Sequence, residues 1–119
     1  MVRWLRETRP DVLFTAPANG FKGSRQARMD AVNMGMNAGV PDLCVFEPRA
    51  QYHGLFVEMK RAEGRIEVRD NQREWQRRLR ARGYKAEIGR GEKHTRELIE
   101  QYLALQSPCV GRKRLRASI

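Results

Sequence analysis

Asp42, Glu58, Lys60 and Gln72 are the residues of this sequence whose types and spacing could do chemistry together. Pro41-Asp42 enters an apolar run, Leu43-Cys44-Val45-Phe46. Fifteen residues separate Asp42 from Glu58-Met59-Lys60, which closes a second apolar run, Leu55-Phe56-Val57. Side chains alternate along a strand, so Phe56, Glu58 and Lys60 share one face while Leu55, Val57 and Met59 share the other. A carboxylate and an ammonium on a largely apolar strand are costly to bury without a partner or a task. With Asp42 at the start of the neighbouring strand, two carboxylates can stand side by side and repel. A divalent cation relieves that repulsion, and hard oxygen ligands suit Mg²⁺ or Mn²⁺. Such a cation polarises a phosphoryl oxygen and lowers the pKa of a bound water. Lys60 beside it could hold or deprotonate that water and neutralise charge developing at phosphorus. The same residues also read as an exposed Glu58–Lys60 ion pair at a strand end with Asp42 in a turn, and such pairs contribute little.

The elements that must position these groups follow from patterning. Residues 1–10 read as a short helical turn ended by Pro10, and Val12-Leu13-Phe14 as a strand before the turn-rich Ala16-Pro17-Ala18-Asn19-Gly20. Ser24 is a plausible N-cap for a helix to about Met34, with Ala27, Ala31 and Met34 on one face and Gly35 as its stop. The runs 42–46 and 55–60 read as antiparallel strands joined by a polar loop around Arg49-His53. A helix is predicted from about Asp70, as N-cap, to Arg82, with Gln72, Trp75, Gln76 and Leu79 on one face and Gly83 as its C′ residue. Lys85–Ile88 reads as a short strand, Gly89-Arg90-Gly91 as a turn, and Thr95 to about Leu105 as a last helix with Leu98, Ile99, Tyr102 and Leu105 inward. Mixed strands and helices with short connections make one α/β domain, here 1–106, followed by a basic tail, 107–119.

Length and charge bound the rest. A chain of 119 residues makes one domain, and 24 Lys+Arg against 14 Asp+Glu give a net charge of +10. The excess is mostly arginine, whose fork suits phosphate oxygens, so nucleic acid is the expected partner. No apolar run approaches the ~20 residues of a membrane span, so no membrane partner is expected. Two cysteines, Cys44 and Cys109, are too few for a disulfide scaffold, and a reducing, cytoplasmic setting follows as the expectation.

Gly39-Val40-Pro41-Asp42-Leu43, Gly54-Leu55-Phe56-Val57-Glu58-Met59-Lys60, Gln72-Arg73-Glu74-Trp75 and Leu79 with Gly83-Tyr84 occur in an order and spacing that resembles the PD-(D/E)XK nuclease superfamily, and more closely its VRR-NUC (virus-type replication-repair nuclease) domain. The likeness covers roughly residues 12–105. It implies a restriction-endonuclease-like fold, a central mixed β-sheet flanked by helices. It implies hydrolysis of DNA phosphodiesters with Mg²⁺, for which Mn²⁺ substitutes. Carried over residue by residue, Asp42 and Glu58 would be metal ligands, joined by the backbone carbonyl of Met59. Lys60 would be the catalytic lysine, and Gln72 the helix residue supporting the metal site or its water. Short stand-alone members are similar to Holliday-junction resolvases acting as homodimers on branched DNA, and C2 symmetry suits paired cuts in a four-way junction. Family members usually carry a glutamate on a first helix, for which Glu7 is the acidic residue available.

Other residues carry weaker signals. Arg73, Arg77, Arg78, Arg80 and Arg82 lie on the predicted 70–82 helix, and Arg112, Lys113, Arg114 and Arg116 crowd the tail. Of these, Arg73, Arg77, Arg80, Arg112, Lys113 and Arg114 are the candidate DNA contacts. Trp75, on the Gln72/Leu79 face, reads as core rather than a base-stacking platform. His53 and His94 lie in polar segments and are poor Mg²⁺ ligands. No Walker loop, dinucleotide fingerprint or Gly-x-Ser-x-Gly elbow is present, so no nucleotide cofactor, redox chemistry or serine hydrolysis is expected.

Overall fold

A computed structural model describes residues 1–17, 24–27, 29 and 39–108. Its elements in chain order are α1 (Val2–Thr8), β1 (Phe14–Thr15), β2 (Leu43–Val45), β3 (Leu55–Lys60), α2 (Asp70–Ala81), β4 (Lys85–Arg90) and α3 (Gly91–Leu103). The strands form one mixed sheet in the order β1-β2-β3-β4. β1–β2 and β2–β3 are antiparallel, while β3–β4 is parallel, with α2 supplying the crossover that a parallel pair requires.

Alternation along β3 divides the core as its sequence dictates. Leu55 and Val57 join Leu5 of α1, Leu43, Val45, and Ile99 and Tyr102 of α3 in one cluster, with Met59 against it. Phe56 points the other way, into a cluster with Cys44, Leu79 and Ala86, against which Trp75 and Tyr84 pack. The sheet is therefore covered by α1 and α3 on one face and by α2 on the other. Trp75 is a packing residue, as its place on the helix face predicts.

Several boundaries differ from the sequence reading. β4 continues to Arg90, and α3 begins at Gly91, so Gly89-Arg90-Gly91 is no free-standing turn. Gly89 pairs with Met59 in the ladder, and the Thr95 hydroxyl fills the space a Cβ would need, which leaves room only for glycine. Gly91, at φ +79, makes the strand-to-helix corner where a Cβ would lie 2.6 Å from that of Ala62. Leu105 falls beyond α3 and is 37% exposed, so it is not inward. The N-cap of α2 is Arg69, with Asp70 the first helical residue. β1 is shifted to Phe14–Thr15, the residues that pair with Val45 and Cys44, while Leu13 just before it is exposed. Of the helix expected over 24–34, Ser24 caps the start as expected, its hydroxyl accepting from Ala27 N–H at 3.1 Å; Arg25, Gln26, Ala27 and Met29 are helical, and the remainder lies outside the described residues.

Candidate active site

The register of β2 and β3 sets the two carboxylates. Leu43 pairs with Val57, which puts Asp42, one residue before β2, opposite Glu58. Pro41 ahead of it is fully buried, and Gly39 lies so close to Asn71 that a Cβ there would meet its backbone at 2.8 Å. The approach to Asp42 is thus wedged against the first turn of the helix that carries Gln72. Asp42 Oδ2 accepts a hydrogen bond from Met59 N–H at 2.8 Å, which fixes the carboxylate against β3. The Met59 side chain turns away, toward the α1/α3 side of the sheet.

Glu58 is 4% exposed, so the reading of Glu58–Lys60 as a surface ion pair is excluded. Its Oε1 accepts from Gln72 Nε2 at 3.1 Å and lies 3.9 Å from Lys60 Nζ. Its Oε2 is buried without any hydrogen-bond donor. Burial, then the adjacent Asp42 carboxylate, pushes the Glu58 pKa up to about 8, with Lys60 pulling the other way. Carboxyl groups raised this far are a signature of sites built for a bound charge or a proton.

Gln72 joins the parts. Its Oε1 accepts from Lys60 Nζ at 3.0 Å and from the Arg69 backbone N–H, also at 3.0 Å, while its Nε2 holds Glu58. One amide therefore caps α2, orients the lysine and anchors the carboxylate. Its contacts are to Lys60 and Glu58 themselves. The sequence missed Arg69 as the cap because an arginine at that position lacks the Ser/Thr/Asp signature; the glutamine three residues on was the legible half of the capping box.

The structure brings Asp42, Glu58, Lys60, Gln72 and the Met59 backbone together, and leaves the other candidates apart. Glu7 is exposed and pairs with Arg3 at 3.1 Å on α1, whose Leu5 packs on the opposite face of the sheet from Glu58. Among the described residues no third Asp, Glu, His or Cys completes a metal-holding group with the pair. Arg73 is exposed, Arg77 is paired with Glu74, and Arg80 donates to the Ala86 carbonyl at 2.7 Å. Arg112, Lys113 and Arg114 lie outside the described residues. His53 is exposed, whereas His94 is half-buried and accepts from Arg90 N–H at 2.8 Å. Cys44 is buried, and burial pushes its thiol pKa up to about 11, so it is an inert packing residue.

With this geometry, comparison with known proteins is decisive. The family model of the VRR-NUC domain matches residues 17–93. The chain belongs to the VRR-NUC family. It is also similar to a solved structure described as a VRR_NUC domain protein, at 32% identity and a TM-score of 0.63, over 72% of this chain and 69% of that one. No curated protein matches. The VRR-NUC domain is a nuclease domain of the PD-(D/E)XK type, whose members generally use divalent metals, and DNA is its substrate. The mixed sheet with helices on both faces is accordingly the restriction-endonuclease-like fold. Among the described residues, no helix of this VRR-NUC protein is long and apolar enough to cross a membrane.

Proposed function

We propose that this protein is a metal-dependent endonuclease selective for branched DNA, and that it cuts four-way junctions as a homodimer. The observation that supports this reading most is the contact set in which Glu58, itself beside Asp42, is tied through Gln72 to Lys60. The donor set fits a divalent cation. Two carboxylates face one another, and the buried Glu58 Oε2 has no donor, which is the unmet demand a hard cation satisfies. Asp42, Glu58 and the Met59 carbonyl would hold Mg²⁺, with Mn²⁺ able to substitute. When bound, such an ion supplies a Lewis acid for a phosphoryl oxygen and lowers the pKa of water at the site.

The remaining chemistry belongs to side chains. Lys60 Nζ spends one N–H on Gln72 and has three donors in all, so it can also reach a phosphate oxygen or the attacking water. A fixed ammonium there stabilises charge that grows on the phosphoryl group. Gln72 keeps Lys60 and Glu58 at one spacing, which limits the reorganisation needed at each turnover. The nuclease domain spans 1–106. Arg73 and the 107–119 tail, with Arg112, Lys113 and Arg114, would grip flanking phosphates, along with whatever Arg77 and Arg80 release from their present partners. A symmetric junction calls for two sites related by a two-fold axis, which a homodimer provides.

The test is cleavage of labelled four-way junctions, flaps, nicked and intact duplex in Mg²⁺ at one fixed salt concentration, with oligomeric state measured alongside. The wild type should cut the junction in preference, as a dimer. Asp42→Ala and Lys60→Ala should abolish cleavage while DNA binding persists, tightening for Asp42→Ala because a negative charge near phosphate is gone. Unchanged cleavage in both variants would overturn the site. Preference for flaps or duplex, or a monomer in solution, would overturn junction resolution. DNA binding without cleavage or Mn²⁺ uptake would reduce the protein to a binding module.

A further inference from the structure

The C-terminal end of β4 places a second cation beside Lys60. Arg90 is in register with Lys60 across the parallel pair. Paired residues on neighbouring strands share a face, so Arg90 stands on the Glu58–Lys60 side, one strand spacing of about 4.8 Å further out. Its side chain is exposed. Its orientation is nevertheless set. The backbone N–H is held by His94 Nδ1, and guanidinium Nη2 donates to the Gly64 carbonyl at 2.6 Å. Gly64 belongs to the loop that follows Lys60. Arg61 braces the same loop through the Arg65 carbonyl, and Ala62 seats it on the Gly91 corner.

Like Arg61, Arg80 and Arg82, Arg90 donates to a carbonyl rather than a carboxylate, and of these four it is the one in register with Lys60. Arg3, Arg49, Arg77 and Arg96 each face a glutamate. Arg90 instead faces a neutral carbonyl, so its charge is not neutralised by that contact. A guanidinium has five N–H donors, and among the described residues one is in use. The others sit on a fork that the Gly64 carbonyl pins, on a residue in register with the lysine, which lowers the entropy lost on engaging an oxyanion.

We infer that Arg90 is a phosphate-binding residue, holding the DNA backbone phosphate next to the one that is cut. The inference rests on the nuclease reading above and extends its substrate site across β4. It is tested with the full chain by measuring affinity for a labelled four-way junction over a range of salt, with Ca²⁺ replacing Mg²⁺. Arg90→Ala should weaken binding about tenfold near ~0.1 M salt and lower the slope of log affinity against log salt by about one. Arg90→Lys should keep the slope, because the charge remains, but lose part of the affinity with the fork. Methylphosphonates, which are uncharged, should weaken wild-type binding when placed beside the scissile phosphate and leave Arg90→Ala indifferent. An unchanged slope in Arg90→Ala, even with lower thermal stability, would mean that Arg90 only braces the loop, and would overturn the inference. If the wild type cuts DNA and Asp42→Ala does not, such a result refutes Arg90 alone; if the wild type neither binds nor cuts DNA, the nuclease reading itself fails.

Discussion

Replacing Glu58 by glutamine in the metal-free protein removes one ionisable group while keeping its shape. Glu58 is 4% exposed, and burial followed by the Asp42 carboxylate raises its pKa from 4.5 to about 8. One pKa unit corresponds to about 1.4 kcal/mol, so holding Glu58 ionised in the folded chain at pH 8 costs up to roughly 4 kcal/mol. Since the folded-state pKa lies above the unfolded value, the stabilisation from the protonated form is complete below about pH 4.5 and is lost as pH rises through about 8. Glutamine has no such loss. Its oxygen can still accept from Gln72 Nε2, and its amide can donate toward Asp42. Glu58→Gln should therefore lie within about 1 kcal/mol of wild type at pH 5 and be more stable by about 2–4 kcal/mol at pH 8. Urea unfolding in EDTA at both pH values measures this directly. A difference that does not change with pH, or a glutamine variant less stable at pH 8, would refute the account of Glu58 as a buried carboxyl strained by its neighbour.

Two further outcomes follow from other contacts. Gln72→Ala removes the acceptor for Lys60 and for Arg69 N–H together with the donor to Glu58; cleavage and Mn²⁺ affinity should fall about 10- to 100-fold, while loss of the cap costs only about 1 kcal/mol in thermal unfolding. Equal activity in this variant would show that the link between lysine and carboxylate is idle. Gly89→Ala should destabilise by about 1–3 kcal/mol through overpacking against the buried Thr95, and Thr95→Ala in the same chain should return part of that loss, read by the shift in melting temperature. Absence of any rescue would place the strain elsewhere.

The sequence by itself determined the candidate set and the strand and helix faces it occupies. Strand alternation put Glu58 and Lys60 together and Met59 opposite, helix periodicity put Gln72, Trp75, Gln76 and Leu79 on one side, and both hold. These are local facts, because the period of a strand or helix is fixed by the backbone. What only the tertiary structure decided is which groups meet. Whether Glu58–Lys60 is a solvated pair or a buried one depends on α2 closing over the sheet, and no periodicity states that. Gln72 bonding to Lys60 rather than standing alone follows from Arg69 setting the start of α2. The absence of Glu7 from the site follows from α1 packing on the far face. Arg90 read as a turn residue in a glycine-flanked triplet, yet the parallel pairing of β4 with β3 runs on through Gly89 and stands Arg90 beside Lys60. Side-chain type and period are written along the chain, whereas burial, pKa and partnership arise only when distant segments exclude water from one another.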